Sequence, residues 1–290
     1  PNKEVVNILS RYIKTKKNVE CYFESKIVFH YGYDDFVSIK TESGSTYNGK
    51  LLIACDGRNS TIREREKIKS FSTSYNQLGL VFEVAHKFNH NNTTTEILDN
   101  GGPFTIIPLK RNANCNYSTI VWMDYTKNIK KICDLDKSKF NKILQEKSNN
   151  VRGPIKLNGE KQVYPIVTQI AKKLYGKRVV LLAESAHVMP PTGAQGLNTS
   201  IGDIITLSKI LVKTRSDKKD IGGNSTLTKY SKYRLNSIGL KTAGIHFLNK
   251  ISMTKYPISQ KFRKIALNTI SQNLTIKSFL MNFGLKNESL

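Results

Sequence analysis

A short segment around residue 190 carries the residue types best suited to chemistry. An apolar strand is predicted over residues 178–183 and ends at Glu184, after which Pro190 and Pro191 precede a glycine-rich turn at residues 193–196. A carboxylate at the end of a strand can accept a hydrogen bond from a sugar hydroxyl, and free N–H groups at the start of a helix stabilise negative charge. The spacing therefore predicts a ligand that has both a sugar and an anionic group.

A second motif places an acid, a glycine and an arginine behind another strand. An apolar strand is predicted over residues 50–55, and Asp56, Gly57, Ser60 and Arg63 follow it. An Asp at the carboxyl end of a strand lies in the crevice where open α/β sheets bind ligands. We expect the Ser side chain to cap the helical turn that follows, and the Arg side chain to be available to a phosphate. A purely structural turn is the alternative interpretation of this motif.

Strand and helix patterns along the chain indicate how the two motifs are positioned. An amphipathic helix is predicted over residues 2–15 and a helix over residues 195–212. Short strands are predicted at residues 19–23, 27–31 and 36–40. Longer strands are predicted between about residues 71 and 170, together with a helix at residues 138–146. Further helices are predicted after residue 226, with apolar seams at residues 247–251 and 262–270. The order α/β, β, α/β and α predicts that the first and third blocks form one domain, which the second block interrupts.

We therefore expect an α/β (α+β) fold made of a Rossmann-like domain and an inserted, mostly antiparallel β-sheet domain. The predicted boundaries are residues 1–68 and 171–213 for the two parts of the Rossmann-like domain, 69–170 for the inserted sheet and 214–290 for a basic C-terminal helical region.

Composition narrows the class of protein. The chain has 290 residues, of which 39% are hydrophobic, with 13 Tyr and 12 Phe, and this predicts a globular protein rather than a disordered one. The formal net charge is +24, of which residues 213–290 contribute +12, from 15 Lys and Arg against 3 Asp and Glu. Such a charge is compatible with nucleic acid, but the lysines are spread along the chain, and we favour a general lysine bias over a specific nucleic-acid partner.

The cysteines and histidines give no sign of a metal site. The four cysteines are Cys21, Cys55, Cys115 and Cys133, far apart and without a Cys-x-x-Cys pair. This spacing predicts reduced thiols in a cytoplasmic protein and no bound metal. We expect the remaining candidates, His86 and His90, to occupy ordinary positions on or beside a strand.

Together the two motifs resemble the paired signatures of the p-hydroxybenzoate-hydroxylase-type flavoprotein monooxygenases. These signatures are Asp-Gly-x-x-Ser-x-x-Arg and Gly-Asp-Ala-Ala-His-x-x-x-Pro-x-x-Gly-x-Gly-x-Asn. The resemblance implies FAD as cofactor, NAD(P)H as co-substrate and an aromatic hydroxylase activity in which no side chain acts as a nucleophile. His187 of the second signature is then a structural residue. The cofactor-binding residues that it implies are Asp56, Gly57, Arg63, Glu184, Pro191, Thr192, Gly193, Ala194, Gln195, Gly196, Leu197 and Asn198.

The intervening segment is similar to the substrate sheet of the ubiquinone-biosynthesis hydroxylases, where a Gly-Pro-x-x-x-x-Pro-Leu strand packs over the flavin. This similarity implies a polyprenylated phenol as substrate, other ubiquinone-biosynthesis enzymes as partners, and a peripheral position on an anionic membrane surface at its inner face. The basic tail is compatible with that position. The implied substrate-pocket residues are Gly102, Pro103, Phe104, Ile106, Pro108 and Pro190.

Two departures from the family pattern bear on cofactor binding. It contains no Gly-x-Gly-x-x-Gly, the turn with which the family opens, so we expect that unit to lie upstream of Pro1 or to be lost. Ala183-Glu184 replaces the usual Gly-Asp, which extends the ribose-binding carboxylate by one methylene. Two alternative functions therefore stay open: an inactive or split-gene remnant that acts as a binding or scaffold partner, and a basic nucleic-acid-binding protein.

Overall fold

The computed structural model describes residues 2–99, 101–110, 115–253 and positions 272, 273, 275 and 278. The helices defined there are α1 (Asn2–Lys14), α2 (Thr61–Arg65), α3 (Thr126–Cys133), α4 (Lys137–Lys147), α5 (Gln195–Ser216) and α6 (Asn224–Met253). The strands are β1 (Ile27–Gly32), β2 (Val37–Thr41), β3 (Thr46–Gly49), β4 (Leu52–Ala54), β5 (Ser70–His86), β6 (Thr95–Asp99), β7 (Gly102–Pro108), β8 (Asn116–Tyr125), β9 (Ile155–Ala171), β10 (Tyr175–Gly176), β11 (Val179–Leu181) and β12 (His187–Val188). The predicted fold class, mixed α/β with a mostly antiparallel sheet, is confirmed.

A small sheet with the order β10-β11-β4 holds the two sequence motifs. Strands β4 and β11 are parallel, with Val179 opposite Leu52 and Leu181 opposite Ala54. The carboxyl ends of the two strands therefore meet at the same edge, and both motifs begin there. Buried side chains of β4, β11, α5 and α6 form the core beneath this sheet.

Two residues in the left-handed conformation bound β11. The sequence pattern predicts a strand over residues 178–183, but the observed strand is three residues long. Arg178 precedes it with φ 58° and Ala183 lies two residues beyond it with φ 54°. These φ values are incompatible with extended structure, so the apolar run forms a shorter strand than its composition predicts.

A six-stranded sheet with the order β12-β9-β5-β8-β7-β6 accounts for the central part of the chain. All its strand pairs are antiparallel. Successive side chains face opposite sides: Trp122 packs in the core covered by α3 and α4, whereas Met123 packs against Met253 of α6. One face of the sheet is thus closed by two helices, and the other lies against the end of α6.

The third sheet, β1-β2-β3, is a short antiparallel meander that follows α1. The predicted strand at residues 19–23 is wrong, because these residues form no strand. Tyr22 and Phe23 are exposed, and the Tyr22 ring lies 4.8 Å from that of Tyr47. An alternating pattern produces a strand only where a neighbouring strand satisfies its backbone, and none lies beside these residues among those described.

The C-terminal part of the described chain is helical, as predicted. The loop between α5 and α6 is shorter than the expected 216–226. The apolar seam at residues 247–251 lies at the end of α6, and the one at 262–270 lies outside the described residues. No helix within the described part of the chain is both long enough and apolar enough to cross a bilayer.

Candidate cofactor site

The first motif forms a tight turn at the end of β4. Asp56 is exposed, and its Oδ2 atom accepts a hydrogen bond from the Ile62 amide at 3.1 Å. The predicted Ser60 cap is confirmed, since its Oγ atom accepts from the Arg63 amide at 2.9 Å. Gly57 has φ 82°, a conformation that favours glycine. The turn leaves the Asp carboxylate facing outward at the strand end.

Arg63 has a different environment from the predicted one. Its side chain is buried and donates hydrogen bonds to the carbonyl oxygens of Ser185 at 2.9 Å and Arg58 at 2.8 Å. The Ser185 Oγ atom in turn lies 2.7 Å from the Ala54 carbonyl oxygen. The arginine therefore joins the two motifs to each other, and its donors are directed at protein oxygens rather than at the surface.

The second motif turns sharply after β11. Ala183 adopts φ 54°, and its amide donates to the Asp203 carboxylate at 3.1 Å. Glu184 follows and is exposed. Its carboxylate thus lies at the strand end neighbouring that of Asp56, where the sequence predicts ribose binding.

The loop over residues 190–198 leads into α5. Thr192–Ala194 form a single 3-10 turn, and Ala194 adopts φ 52° and ψ 32° immediately before the helix. Pro191 and Leu197 are exposed, the latter to 72%, so the helix start has an open apolar surface beside it. An exposed helix start with free N–H groups can hold negative charge.

The structure shows that Ala183 and Ala194 share a backbone conformation. Both stand where the family signature has glycine, and both have positive φ. Glycine adopts this conformation without the Cβ penalty, whereas alanine is strained there. The chain therefore keeps the backbone path of the signature at two positions without its glycines.

A buried ionic network holds this loop to the helices. Asp203 and Arg234 are both fully buried, with Arg234 Nε 2.7 Å from Asp203 Oδ1. His187 Nε2 lies 2.7 Å from Asp203 Oδ2, which agrees with a structural rather than a catalytic histidine. Tyr230 packs in the adjoining core, and burial raises its pKa well above the ordinary value. One carboxylate thus links β12, the turn at Ala183 and helices α5 and α6.

A chain of polar side chains connects the loop to the six-stranded sheet. Thr192 Oγ1 lies 3.5 Å from Asn249 Oδ1, and the Asn249 amide donates to Gln77 Oε1 at 2.9 Å. Gln77 Nε2 then donates to the Gly101 carbonyl oxygen at 2.7 Å. All three side chains are buried. Helix α6 therefore fixes the loop of the second motif relative to the start of β7.

The residues predicted for the substrate pocket divide between two environments. Phe104 and Ile106 are fully buried among Trp122 and the side chains of α3 and α4, on the closed face of the sheet. Gly102 lies beside Gln77, since a Cβ atom built on it would come within 3.1 Å of the Gln amide nitrogen. Pro103 and Pro190 are buried, and Pro108 is half-buried. The buried start of β7 is connected to the loop through Gln77 and Asn249, whereas Phe104 and Ile106 pack on the closed face.

Sequence reasoning missed the residues that hold this arrangement together. Asp203 lies five residues after the end of the second motif, and neither it nor Arg234, Asn249 or Gln77 was assigned a role. The signal was present in α6, where Arg234 and Asn249 are in phase with buried apolar residues such as Ile238 and Ile245. Polar residues on the buried face of a helix mark a hydrogen-bond network.

Within the described residues no group of three or more His, Cys, Asp or Glu side chains is arranged to hold a metal ion. His86 Nε2 lies 2.9 Å from Ser118 Oγ, and His90 Nε2 lies 3.1 Å from the Leu109 carbonyl oxygen. Both histidines occupy sheet-associated positions.

Comparisons with known proteins agree with this geometry. A family model described as "FAD binding domain" matches residues 31–239. The ubiquinone hydroxylase UbiL of Rhodospirillum rubrum is 28% identical over 200 residues, covering 69% of this chain and 46% of that protein. The mitochondrial ubiquinone biosynthesis monooxygenase COQ6 of Homo sapiens is 24% identical, covering 87% of this chain and 60% of that protein. The chain thus spans about half the length of the first of these relatives.

Solved structures show the same fold. The p-nitrophenol 4-monooxygenase PnpA of Pseudomonas putida superimposes with a TM-score of 0.80 at 16% identity, covering 99% of this chain and 73% of that one. Klebsiella pneumoniae HpxO, solved in complex with FAD and uric acid, has a TM-score of 0.64 at 16% identity, covering 84% and 62%. From the matched family model and the two motifs at neighbouring strand ends, we conclude that the chain belongs to the FAD-binding-domain family.

Proposed function

We propose that the whole protein is an FAD-dependent monooxygenase that hydroxylates the phenolic ring of a polyprenylated ubiquinone precursor, with NAD(P)H and O2. The observation that carries the proposal is the pairing of parallel strands β4 and β11, which brings Asp56 and Glu184 to adjacent strand ends. Ligands of open α/β sheets bind at this edge. The similarity to ubiquinone hydroxylases supports the substrate class.

The residues present fit the ribityl and ring part of FAD. In this proposal Glu184 would accept a hydrogen bond from a hydroxyl of the ribityl chain, Asp56 and Gly57 would lie along the phosphate side, and residues 191–198 would border the ring. The exposed start of α5 then stabilises negative charge on the reduced ring. Bound FAD would supply the redox and oxygen chemistry, while these side chains orient it and exclude water.

The pyrophosphate of FAD has no corresponding cradle in this sequence, since it contains no Gly-x-Gly-x-x-Gly. We propose that a strand–helix–strand unit of the whole protein supplies it by pairing with β4, which lies at the edge of its sheet among the described residues. The exposed apolar side chains of α1 are compatible with such a neighbour. We retain the domain boundaries at residues 68 and 170 as part of this proposal; the boundary predicted at residue 213 falls inside α5, which continues to Ser216.

We place the substrate ring between the start of β7, at Gly102 and Pro103, and the loop at Pro190. Phe104 and Ile106 support this wall from the closed core. The chain of hydrogen bonds through Gln77 and Asn249 holds the two walls together. We retain a peripheral location on an anionic membrane, and contacts with other enzymes of the pathway, as parts of this proposal.

Cofactor binding and turnover by the purified whole protein test the proposal. We expect a yellow protein with a flavin absorbance spectrum, saturable quenching of FAD fluorescence, and NAD(P)H oxidation that forms a hydroxylated product from a prenylated phenol. Glu184→Gln should raise the Kd for FAD about tenfold, the value of one charged hydrogen bond. The matched variant Glu160→Gln, at an exposed position of β9, should leave the Kd unchanged.

A colourless protein that FAD does not saturate would overturn the proposal and favour the inactive remnant. Retention on DNA or RNA at moderate salt would instead favour the nucleic-acid alternative.

A further inference from the structure

A cleft at the opposite end of β11 concentrates positive charge. It has a volume of about 760 Å³ and is lined by Lys67, Lys69, Lys172 and Lys173, together with residues that precede β11. We call it the lysine cleft. All four lysines are exposed. The candidate cofactor site follows the carboxyl end of the three-residue strand, so about 10 Å of strand separates the two sites.

The other charged groups of the lysine cleft already have partners. Lys177 Nζ lies 2.8 Å from Asp34 Oδ1, and the Glu66 carboxylate lies 2.7 Å from His30 Nε2. Arg178 also lines the cleft, but its guanidinium pairs with Asp220, which does not line it. None of the four lysines has an ion pair with a described residue. The four lysines thus have no ion-pair partner among the described residues and outnumber the one Glu66 carboxylate beside them, so they repel one another, and a bound anion would relieve this repulsion.

Local packing directs two of these lysines. The Lys172 ammonium lies 4.5 Å from the centroid of the Phe71 ring, and the Lys173 ammonium lies 3.8 Å from that of Tyr175. Such cation–π contacts restrict side chains that would otherwise spread into solvent. The wall also contains Asn224, the first residue of the 30-residue helix α6, whose dipole adds to the positive potential. An ordinary solvated lysine face lacks both concavity and restricted ammonium groups.

We infer that the lysine cleft binds a phosphate-bearing anion. Lysine acts as a point charge toward phosphate, and several lysines around one concavity suit a group that carries more than one negative charge. Tyr33 lines the cleft, is exposed, and stacks on Phe36 at 4.5 Å between centroids. This ring gives the ligand an apolar contact beside its charged group. Both a free phosphate compound and the headgroup of an anionic phospholipid have this chemistry.

Two probes and two matched variants test the inference. Pyrophosphate is titrated calorimetrically into the whole protein, and the protein is sedimented with vesicles of phosphatidylcholine alone or of equimolar phosphatidylcholine and phosphatidylglycerol. The test variant carries Lys67→Gln, Lys69→Gln, Lys172→Gln and Lys173→Gln. The control variant has the same net charge and carries Lys127→Gln, Lys130→Gln, Lys131→Gln and Lys142→Gln, at exposed positions of α3 and α4.

We expect at least one probe to bind saturably, with about a tenfold or larger loss of affinity in the test variant, little loss in the control variant and weaker binding at higher ionic strength. Saturable pyrophosphate binding without vesicle capture identifies a free phosphate ligand. Capture by phosphatidylglycerol vesicles that pyrophosphate competes away identifies a lipid headgroup. Absence of saturable binding of both probes, or equal binding by the two variants, overturns the inference. Neither probe requires FAD, so failure of the proposed function leaves the result interpretable.

Discussion

Two regions of this molecule cover their apolar side chains to very different degrees. The antiparallel region, consisting of the six-stranded sheet with α3 and α4, fully buries Leu80, Phe104 and Ile106. In the parallel region, consisting of β4, β10 and β11 with the remaining helices, α1 leaves Ile8 65% and Leu9 53% exposed. The first region is closed by its own elements, whereas part of the second has a surface suited to a further element.

The difference follows from sheet type. An antiparallel sheet can be built from successive hairpins and closed by helices on one face. A parallel pair needs crossover connections, and its strands are normally covered on both faces. Strand β4 has one parallel neighbour, β11, among the described residues. The parallel region has a buried apolar core of its own under β4 and β11, and the buried Asp203–Arg234 pair lies beside it. We therefore expect its stability to depend on buried polar links as well as on apolar packing.

Removal of the Asp203 carboxylate is the strongest test of this expectation. Asp203→Ala leaves the fully buried Arg234 without its charge partner and removes the acceptor of the Ala183 amide. Breaking a buried ion pair in this way costs about 3–5 kcal/mol. Urea unfolding should show this loss in the free energy of unfolding. Asp217→Ala, on an exposed carboxylate just after α5, should change it by less than about 0.5 kcal/mol. Equal effects of the two variants would contradict the role of the network.

A matched pair of leucines compares the two regions directly. Leu80→Ala empties a fully buried position of the antiparallel region and should cost about 2–5 kcal/mol. Leu9→Ala removes a largely exposed side chain of α1 and should change stability by less than about 0.5 kcal/mol in this chain. Thermal or urea unfolding measures both. A large loss for Leu9→Ala would show that α1 is packed rather than exposed.

The sequence predicted elements and motifs better than the contacts that join them. Strand periodicity predicted most strands of the antiparallel sheet, and the Ser60 cap was predicted from its position before α2. The burial of the Arg63 side chain was not predicted, because its partner Ser185 is 122 residues away in the sequence and only the folded chain brings the two together. Phe104 and Ile106 were expected at a pocket because the family resemblance places their strand over the flavin, and strand alternation does not say which face of the sheet the helices close.

The ion pair between Arg178 and Asp220, at the amino end of β11, should make a moderate, pH-dependent contribution to the free energy of unfolding. Arg178 donates to the Asp220 carboxylate and holds the pKa of Asp220 below its ordinary value. Asp220 is 45% exposed, so solvent screens the pair, and Asp220→Asn should cost about 1 kcal/mol at neutral pH. Because the folded-state pKa is the lower one, this contribution is complete above about pH 4 and disappears as the pH falls through the folded pKa. Chemical unfolding of both proteins across this range measures the difference, and Asp134→Asn serves as an exposed control.

A difference between wild type and Asp220→Asn that stayed constant into acid would show that the link does not depend on the charge of the carboxylate.

The smallest expected effect has the opposite sign and concerns the strained turn of the parallel region. Ala183→Gly should stabilise the protein by about 0.5–1 kcal/mol, because relief of the left-handed alanine outweighs the larger unfolded-state entropy of glycine. Ala243→Gly, at an exposed position inside α6, should destabilise it by about 1 kcal/mol. The same substitution thus changes sign with backbone conformation. Destabilisation by Ala183→Gly would show that the Cβ atom contributes packing that exceeds the strain, and the turn would then be adapted to alanine.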